Sequence, residues 1–481
     1  MTATVAGIDV PTGHFIGGEF VDSAARFGTI SPIDQSVLAE VARADASDVD
    51  RAVRAAHAAF PAWAALGPAG RAEHLHRLAD LIDSSVERLA QVECADMAML
   101  LRSLRARVIK RGALNFRNYA DLAVAYEERD WRSRGTWNRV QRMPSGPAAV
   151  ITPWNAPFML STWKIAPALA AGCTVVLKPA EWSPLSAALL GELAAEAGLP
   201  PGVLNIVQGI GEEAGAALVA HPLIRRVSFT GSTATARHIG RSAAENIVPF
   251  TAELGGKNPF LVFEDADLDA AAAKAAGQYD DSGQVCLSGT RLLVHESIRD
   301  AFLERFTAAA DAHVLGDPRD ETTTISPMIH PDHVARVEGF VERAKADGQR
   351  VLRGGTRLDG LFYEPTLIEP TSNDAEIVQQ EVFGPVLTLQ TFRDEAEAIA
   401  LANSTAYGLS ALVYTSSLGR ADRVGRAVRG GTVWVNTFLV RDLTAPFGGM
   451  GQSGIGREGG DYALDFYSDL KTLQILEGSV G

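Results

Sequence analysis

Between residues 49 and 92, apolar side chains recur at three- and four-residue steps, the period of helices with one buried face. Asp45 or Ser47 is placed to cap the first of them, and Gly70 stands where a second would begin. The rhythm then changes. Residues 148–151, 174–177, 203–207, 227–230 and 248–252 are short apolar or β-branched runs. Helical stretches follow several of them, over 183–197, from about 212, and over 232–244. Short strands separated by helices of that length predict a parallel, doubly wound sheet with right-handed crossovers. Ligands of such sheets collect at the carboxyl ends of the strands. A second alternation begins with a strand at 260–263 and a helix cap within 265–269, followed by a strand at 291–294 and helices over 298–312 and 333–346. Two α/β units predict two lobes with a cleft between them. The tail, 467–476, alternates like a strand without an evident partner nearby, and terminal strands of that kind often pair across a subunit boundary.

Composition narrows the class. At 481 residues the chain is expected to hold two to four domains of roughly 150 residues each. Its 47% hydrophobic and 21% charged residues fit a soluble globular protein and exclude a disordered or fibrous one. The 44 basic and 58 acidic side chains leave a net charge of -14, and no Lys/Arg block offers a nucleic-acid stripe. The densest basic stretch, 102–117, reads as a solvated helix face. Three cysteines, Cys94, Cys173 and Cys286, make neither a disulfide framework nor a zinc spacing, so no metal is expected. The longest weakly polar run, 165–177, is shorter than the ~20 residues a spanning helix needs. No signal peptide is evident at the N-terminus, so no membrane partner and a cytoplasmic location are expected.

Two glycine turns compete for a phosphate. Gly209-Ile210-Gly211-Glu212-Glu213-Ala214 has a dinucleotide-like spacing, but its two carboxylates stand where the anion would bind, so it reads as structural. Phe229-Thr230-Gly231-Ser232-Thr233 offers neutral hydroxyls at a helix start; it is a phosphate turn or a plain Ser/Thr cap. Cys286, in the polar turn Ser282-Gly283-Gln284-Val285-Cys286, is a small buried hydrophobe or a nucleophile. Glu253 ends an apolar run before Leu254-Gly255-Gly256-Lys257, either facing a cleft or paired with Lys257. Asn155, held between Pro153 and Pro157, can donate to an oxyanion or simply form the turn.

In this order, from about residue 14 to 471, the segments resemble the NAD(P)-dependent aldehyde dehydrogenase superfamily. The matching stretches are Pro153-Trp154-Asn155, Lys178-Pro179-Ala180-Glu181, Pro201-Gly202-Val203-Leu204-Asn205, Phe229-Thr230-Gly231-Ser232, Glu253-Leu254-Gly255-Gly256-Lys257, Gly283-Gln284-Val285-Cys286, Glu381-Val382-Phe383-Gly384-Pro385 and Pro446-Phe447-Gly448-Gly449. The resemblance implies a Rossmann-like cofactor lobe (1–125 and 144–252), a catalytic lobe (253–445) and a small β oligomerisation element (126–143 and 464–481). It implies a homodimer or homotetramer.

It also implies the chemistry. Cys286 attacks an aldehyde, Asn155 and the Cys286 N–H hold the oxyanion, and Glu253 activates the water that hydrolyses a thioester. The cofactor is expected to be NAD. Thr152, Pro153, Trp154 and Leu254 would line its crevice, with Lys178 and Glu181 at the adenosine ribose. Thr230, Gly231 and Ser232 would lie at the pyrophosphate, and Glu381 with Phe383 at the nicotinamide ribose. A carboxylate at Glu181 suits both ribose hydroxyls and repels a 2′-phosphate. Three departures stand out: Ala236 replaces a usual glycine, Asp96-Met97-Ala98-Met99-Leu100 lacks the common Gly-Lys-Pro, and Met450-Gly451 stands where many relatives have an aromatic and a lysine.

Within the superfamily, Pro157-Phe158-Met159, Thr162-Trp163-Lys164, Asn115-Phe116-Arg117, Val440-Arg441-Asp442-Leu443 and Ser453-Gly454-Ile455-Gly456-Arg457-Glu458-Gly459-Gly460 resemble the hydroxymuconic-semialdehyde dehydrogenases. That likeness implies a semialdehyde bearing a carboxylate, bound by Arg117 and Arg441, in a tunnel with Met159, Trp163, Val285 and Phe447. Arg441 paired with Asp442 is the structural alternative. Asp280 and Asp281, before Cys286, argue instead for an aminoaldehyde. Broad-range aldehyde oxidation, a CoA-acylating enzyme and a silent structural homologue complete the alternatives; Glu253 speaks against the CoA-acylating type.

Overall fold

The apolar runs assemble into two separate sheets. The structure is a computed structural model that describes residues 1–478. In the first sheet, five parallel strands lie in the spatial order Phe250–Leu254, Arg226–Gly231, Pro147–Ile151, Thr174–Lys178 and Leu204–Ile206. Gly454–Ile455 adds antiparallel at one edge, and His14–Ile16 with Glu19–Val21 at the other. Ala148, Val150, Val175 and Leu177 enter one core, and Ala149, Ile151 and Val176 another. Alternate residues thus fill opposite faces, which is why these strands read as unbroken apolar runs.

The second sheet has seven strands, in the order Arg350–Arg353, Thr366–Glu369, Val386–Phe392, Arg291–His295, Pro259–Val262, Ser410–Tyr414 and Thr432–Val435. All its pairings are parallel except the first. The doubly wound α/β class expected from the sequence is what the chain forms.

Local rules decide the helix ends. Asp45, not Ser47, caps Ala46–Ala65 through a capping box with Asp48. Gly70 does not open the next helix. Gly67–Ser84 begins three residues earlier, where Gly67 takes a φ of +69° and Pro68 sits in the first turn. The basic stretch also departs from a plain solvated face. Leu101–Ser103 and Ile109–Ala125 are joined by a π-helical turn, Leu104–Val108, and in the helix after it Arg111 lies over the Trp163 ring.

The tail strand has a partner within the chain. Ser468–Leu476 pairs antiparallel with Thr136–Pro144 along its whole length, and Arg129–Ser133 completes a three-stranded sheet. Residues 479–481 of the expected oligomerisation element lie outside the described residues. Among the described residues no helix is long and apolar enough to cross a membrane.

Candidate active site

Cys286 lies in the loop between the 3-10 turn Gly277–Gly283 and the strand Arg291–His295, and remains partly exposed. Gly283, at φ +67°, brings that loop against the Gly384 carbonyl so closely that no Cβ would fit. Asn258 Nδ2 holds the Cys286 carbonyl at 2.8 Å. Asn155, just before the helix Pro157–Ala171, donates from Nδ2 to the Gln284 carbonyl at 2.9 Å, two residues from the thiol. The amide expected to hold an oxyanion therefore sits on the nucleophile's own loop.

Glu253 occupies the strand Phe250–Leu254, opposite Thr230 in parallel register and Gly454 in antiparallel register. Both its carboxyl oxygens are buried without a hydrogen-bond partner. Burial first, then the nearby Glu458, hold its pKa well above the usual carboxylate range. The Lys257 salt bridge weighed from the sequence is absent: the Lys257 Nζ is likewise buried without a partner. Burial pushes the Cys286 thiol up to about 12, Glu381 and Glu253 add to the rise, and Arg441 opposes it.

Near Glu253 lies a cluster in which the sequence reading named Trp163 and Arg441 but gave no role to Lys164, Glu458 or Arg111. Lys164 pairs with Glu458 and donates to Ser228 Oγ at 3.0 Å, and the Trp163 indole N–H donates to Glu458 at 2.5 Å. The Trp163 ring carries two guanidinium groups. Arg111 lies 5.5 Å from its centroid and Arg441 5.4 Å, and Arg441 also stacks 3.7 Å from the Phe447 ring. Arg441 has no carboxylate partner among the described residues; Asp442 instead accepts from the Thr444 N–H and hydroxyl. Arg111 donates from Nε to Asn115 Oδ1 at 3.0 Å, and burial lowers it to about 10.

Arg117 does not join them. Its guanidinium is held at 2.6 Å by Asp80 and at 2.6 Å by Asp83 on the outer face of Ile109–Ala125. Arg111, six residues earlier and beyond the π turn, takes the inward position that the sequence had given to Arg117. Met159 and Val285 are half-buried against the same core as Trp163 and Phe447. Asp280 and Asp281 precede the thiol loop in a strained turn, with Asp281 at φ +52° and Ser282 at φ +54°. Their surroundings raise both carboxyls to about 6, against the pull of Arg102 and Arg107.

A second group of residues edges the carboxyl ends of the first sheet. Ser232 caps Thr233–Glu245 by accepting from the Thr235 N–H at 3.1 Å, leaving an exposed and uncharged helix start after Thr230 and Gly231. At the end of its own strand, Lys178 pairs with Glu181 at 2.6 Å. Glu213 of the other glycine turn pairs with Arg43 at the surface. Thr152 is buried, its hydroxyl 3.0 Å from that of Ser161, and Leu254 is buried beside Glu253. After Pro153, the Trp154 ring meets Phe383 edge-on at 5.3 Å and His333 at 5.0 Å.

Glu381 accepts the Gly256 N–H at 2.8 Å, in space that a Cβ on Gly255 would occupy, and burial raises its carboxyl to about 7. The helix Pro331–Ala346 fixes this loop. His333 donates to the Phe383 carbonyl at 2.7 Å, and Arg336 donates to the carbonyls of Glu381, at 2.8 Å, and of Val382. Phe383 is held at φ +59°. A dipolar helix start, a ribose-sized acid–base pair and a second carboxyl beside the thiol loop fit a dinucleotide.

The aldehyde dehydrogenase family model matches residues 20–473. The chain belongs to the aldehyde dehydrogenase family. Among its relatives, the 2-hydroxymuconic semialdehyde dehydrogenase of Pseudomonas sp. (strain CF600) is 41% identical, over 96% of this chain and 98% of that one. The 2-aminomuconic semialdehyde dehydrogenase of Danio rerio is 40% identical, over 96% and 97%. The betaine aldehyde dehydrogenase of Staphylococcus aureus in complex with NAD+ superposes with a TM-score of 0.95 at 37% identity, covering 98% of this chain and 96% of that one. This aldehyde dehydrogenase is an oxidoreductase.

Proposed function

We propose that this enzyme oxidises a carboxylate-bearing semialdehyde of the muconic type to the free acid with NAD. The observation that carries the substrate class is the pair of guanidinium groups, Arg111 and Arg441, both against the Trp163 ring and neither in a salt bridge among the described residues. A carboxylate at the far end of the substrate supplies the missing partner. The names of the muconic semialdehyde relatives agree with it. The aminoaldehyde alternative rests on Asp280 and Asp281, which Arg102 and Arg107 already oppose.

Cys286, as thiolate, adds to the aldehyde carbon. The alkoxide is held by the Asn155 amide, which leaves the Gln284 carbonyl to do so, and by the Cys286 N–H. The chemistry that bound NAD would supply is that of a hydride acceptor for the tetrahedral carbon. The carbon is left as a thioester on Cys286. Glu253 takes a proton from water as its oxygen attacks that thioester, and the acid leaves with the thiol restored. Hydrolysis rather than transfer to CoA follows from the presence of Glu253.

For the cofactor, Lys178 and Glu181 hold the adenosine ribose, with Thr152, Pro153, Trp154 and Leu254 along the crevice. Thr230, Gly231 and Ser232 meet the pyrophosphate, while Glu381 and Phe383 meet the second ribose. Glu181 accepts from both hydroxyls of the first ribose and repels a 2′-phosphate, so kcat/KM with NAD exceeds that with NADP. Residues 1–125 and 144–252 form the cofactor lobe, 253–445 the catalytic lobe, and 126–143 with 464–481 the oligomerisation element. Ser468–Leu476 and Thr432–Val435 are the end strands of their sheets among the described residues, which supports assembly of copies into a homodimer or homotetramer.

The test compares kcat/KM for a muconic-type semialdehyde, an aminoaldehyde and a neutral aldehyde. The acid is expected to win. Arg111→Ala is expected to raise its KM about 10- to 100-fold, the worth of a charge-assisted contact, and to leave the neutral aldehyde unchanged. A preference for the cation, or an unmoved KM in Arg441→Ala, contradicts the carboxylate reading.

A further inference from the structure

Two buried carboxyl groups take no part in the chemistry above. Glu93 and Asp96 lie three residues apart near the end of the helix Val86–Met97, and neither has any solvent exposure. Each reaches the start of a different helix. Glu93 Oε2 accepts the Phe158 N–H at 3.1 Å; Asp96 accepts the Leu185 N–H at 2.8 Å and the Thr29 hydroxyl at 3.2 Å. Both receiving helices lack a cap of their own. Pro157–Ala171 is preceded by Ala156 and Leu185–Glu196 by Pro184, and neither residue makes a side-chain capping bond. The first N–H groups of a helix have no partner within it and must find one when buried.

In Pro157–Ala171 the accounting is short. Pro157 has no N–H, and the Leu160 N–H returns to the Ala156 carbonyl at 2.9 Å. Phe158 carries the first N–H that needs an acceptor from elsewhere, and Glu93 supplies it. Burial raises Glu93 to about 8, and a protonated carboxyl still accepts through its carbonyl oxygen. The Phe158 ring is fixed as well: a Cβ on Gly112 would come within 2.5 Å of it. With ring and N–H both held, this turn has little freedom to shift. Asn155 stands three residues before Phe158 at the end of the same turn, its amide on the thiol loop.

We infer that Glu93 is a positioning residue for the oxyanion site: by capping Pro157–Ala171 from a separate helix, it sets where the Asn155 amide stands relative to Cys286. This rests on the oxyanion role proposed for Asn155. The residue touches neither thiol nor substrate.

The test is a double-mutant cycle read as the rate of the first-turnover burst of reduced nicotinamide, with the NAD dissociation constant measured alongside. Asn155→Ala is expected to slow the burst about 10²- to 10³-fold, the usual cost of one oxyanion donor. Glu93→Met is expected to slow it about 10- to 100-fold by misplacing that donor. On the Asn155→Ala background the same change is expected to cost less than threefold, because the group it positions is gone. Glu93→Gln retains an acceptor and is expected to stay within threefold of the wild type, and NAD affinity is expected to stay within twofold throughout. Glu93→Asp draws the acid back by one methylene and runs the same cycle, with a three- to tenfold loss expected, should the methionine variant not fold. Equal losses from the Glu93 changes on both backgrounds overturn the positioning role alone. An undiminished burst in Asn155→Ala overturns the oxyanion reading, and the positioning role with it.

Discussion

The reacting sulfur begins as a thiol. Burial pushes Cys286 up to about 12, and the carboxyls of Glu381 and Glu253 point the same way, so few molecules carry the thiolate at neutral pH. The acylation rate is expected to climb about tenfold per pH unit between 6 and 9 in stopped-flow runs at saturating NAD, since the thiolate fraction does so below its pKa. Arg441 is the cation that opposes this rise. Arg441→Ala is therefore expected to slow acylation with every aldehyde, whereas Arg111→Ala affects only the acidic ones. A pH-independent acylation rate would place the reacting proton elsewhere.

At the scale of elements, the site is set by close approaches. The cofactor loop around Glu381 is tied to Pro331–Ala346 through His333 and Arg336, and Gly255 leaves the room its carboxyl needs. Gly255→Ala is expected to weaken NAD binding at least tenfold in calorimetry while leaving the reactivity of Cys286 toward a thiol reagent intact. Gly112→Ala drives a methyl group into the Phe158 ring. It is expected to cost about 1–3 kcal/mol, seen as a lower Tm, as overpacking does.

Elements also divide what could be read along the chain from what could not. Parallel strands buried on both faces write themselves as apolar runs, and Cys286, Glu253 and Asn155 sit at the ends or turns of such runs. Lys164 and Glu458 are 294 residues apart, and no local pattern joins them. Arg111 was hidden for a different reason. The likeness pointed to Arg117, whose partners are Asp80 and Asp83 on the surface, and nothing local in the sequence marks Arg111 as the one that reaches Trp163. The tail strand lacked a visible partner because Thr136–Pro144 lies far upstream.

For the whole molecule, buried carboxyls link stability to pH. Burial raises Glu93 to about 8, and Asp96 and Glu381 to about 7. The native state keeps protons that the unfolded chain releases above its ordinary carboxylate pKa. Stability from these groups is thus full below about pH 4 and is lost as pH rises through 7 and 8. Lys257, lowered to about 7, works the other way only above that pH. Calorimetry is expected to show Tm falling between pH 5 and 7, and falling less steeply in Glu93→Gln. The assembly has its own check. Leu470 and Leu473 are exposed on the strand Ser468–Leu476, so changing both to lysine is expected to shift the sedimenting species toward monomer.

The measurement that bears most directly on the account is the mass of the protein quenched in acid after one turnover. Glu253→Gln, mixed with NAD and semialdehyde, is expected to release one equivalent of reduced nicotinamide and then stall. Its Cys286 peptide is expected to carry the substrate's acyl group. An unmodified Cys286 peptide, an acyl group on another residue, or steady turnover by Cys286→Ala would contradict it.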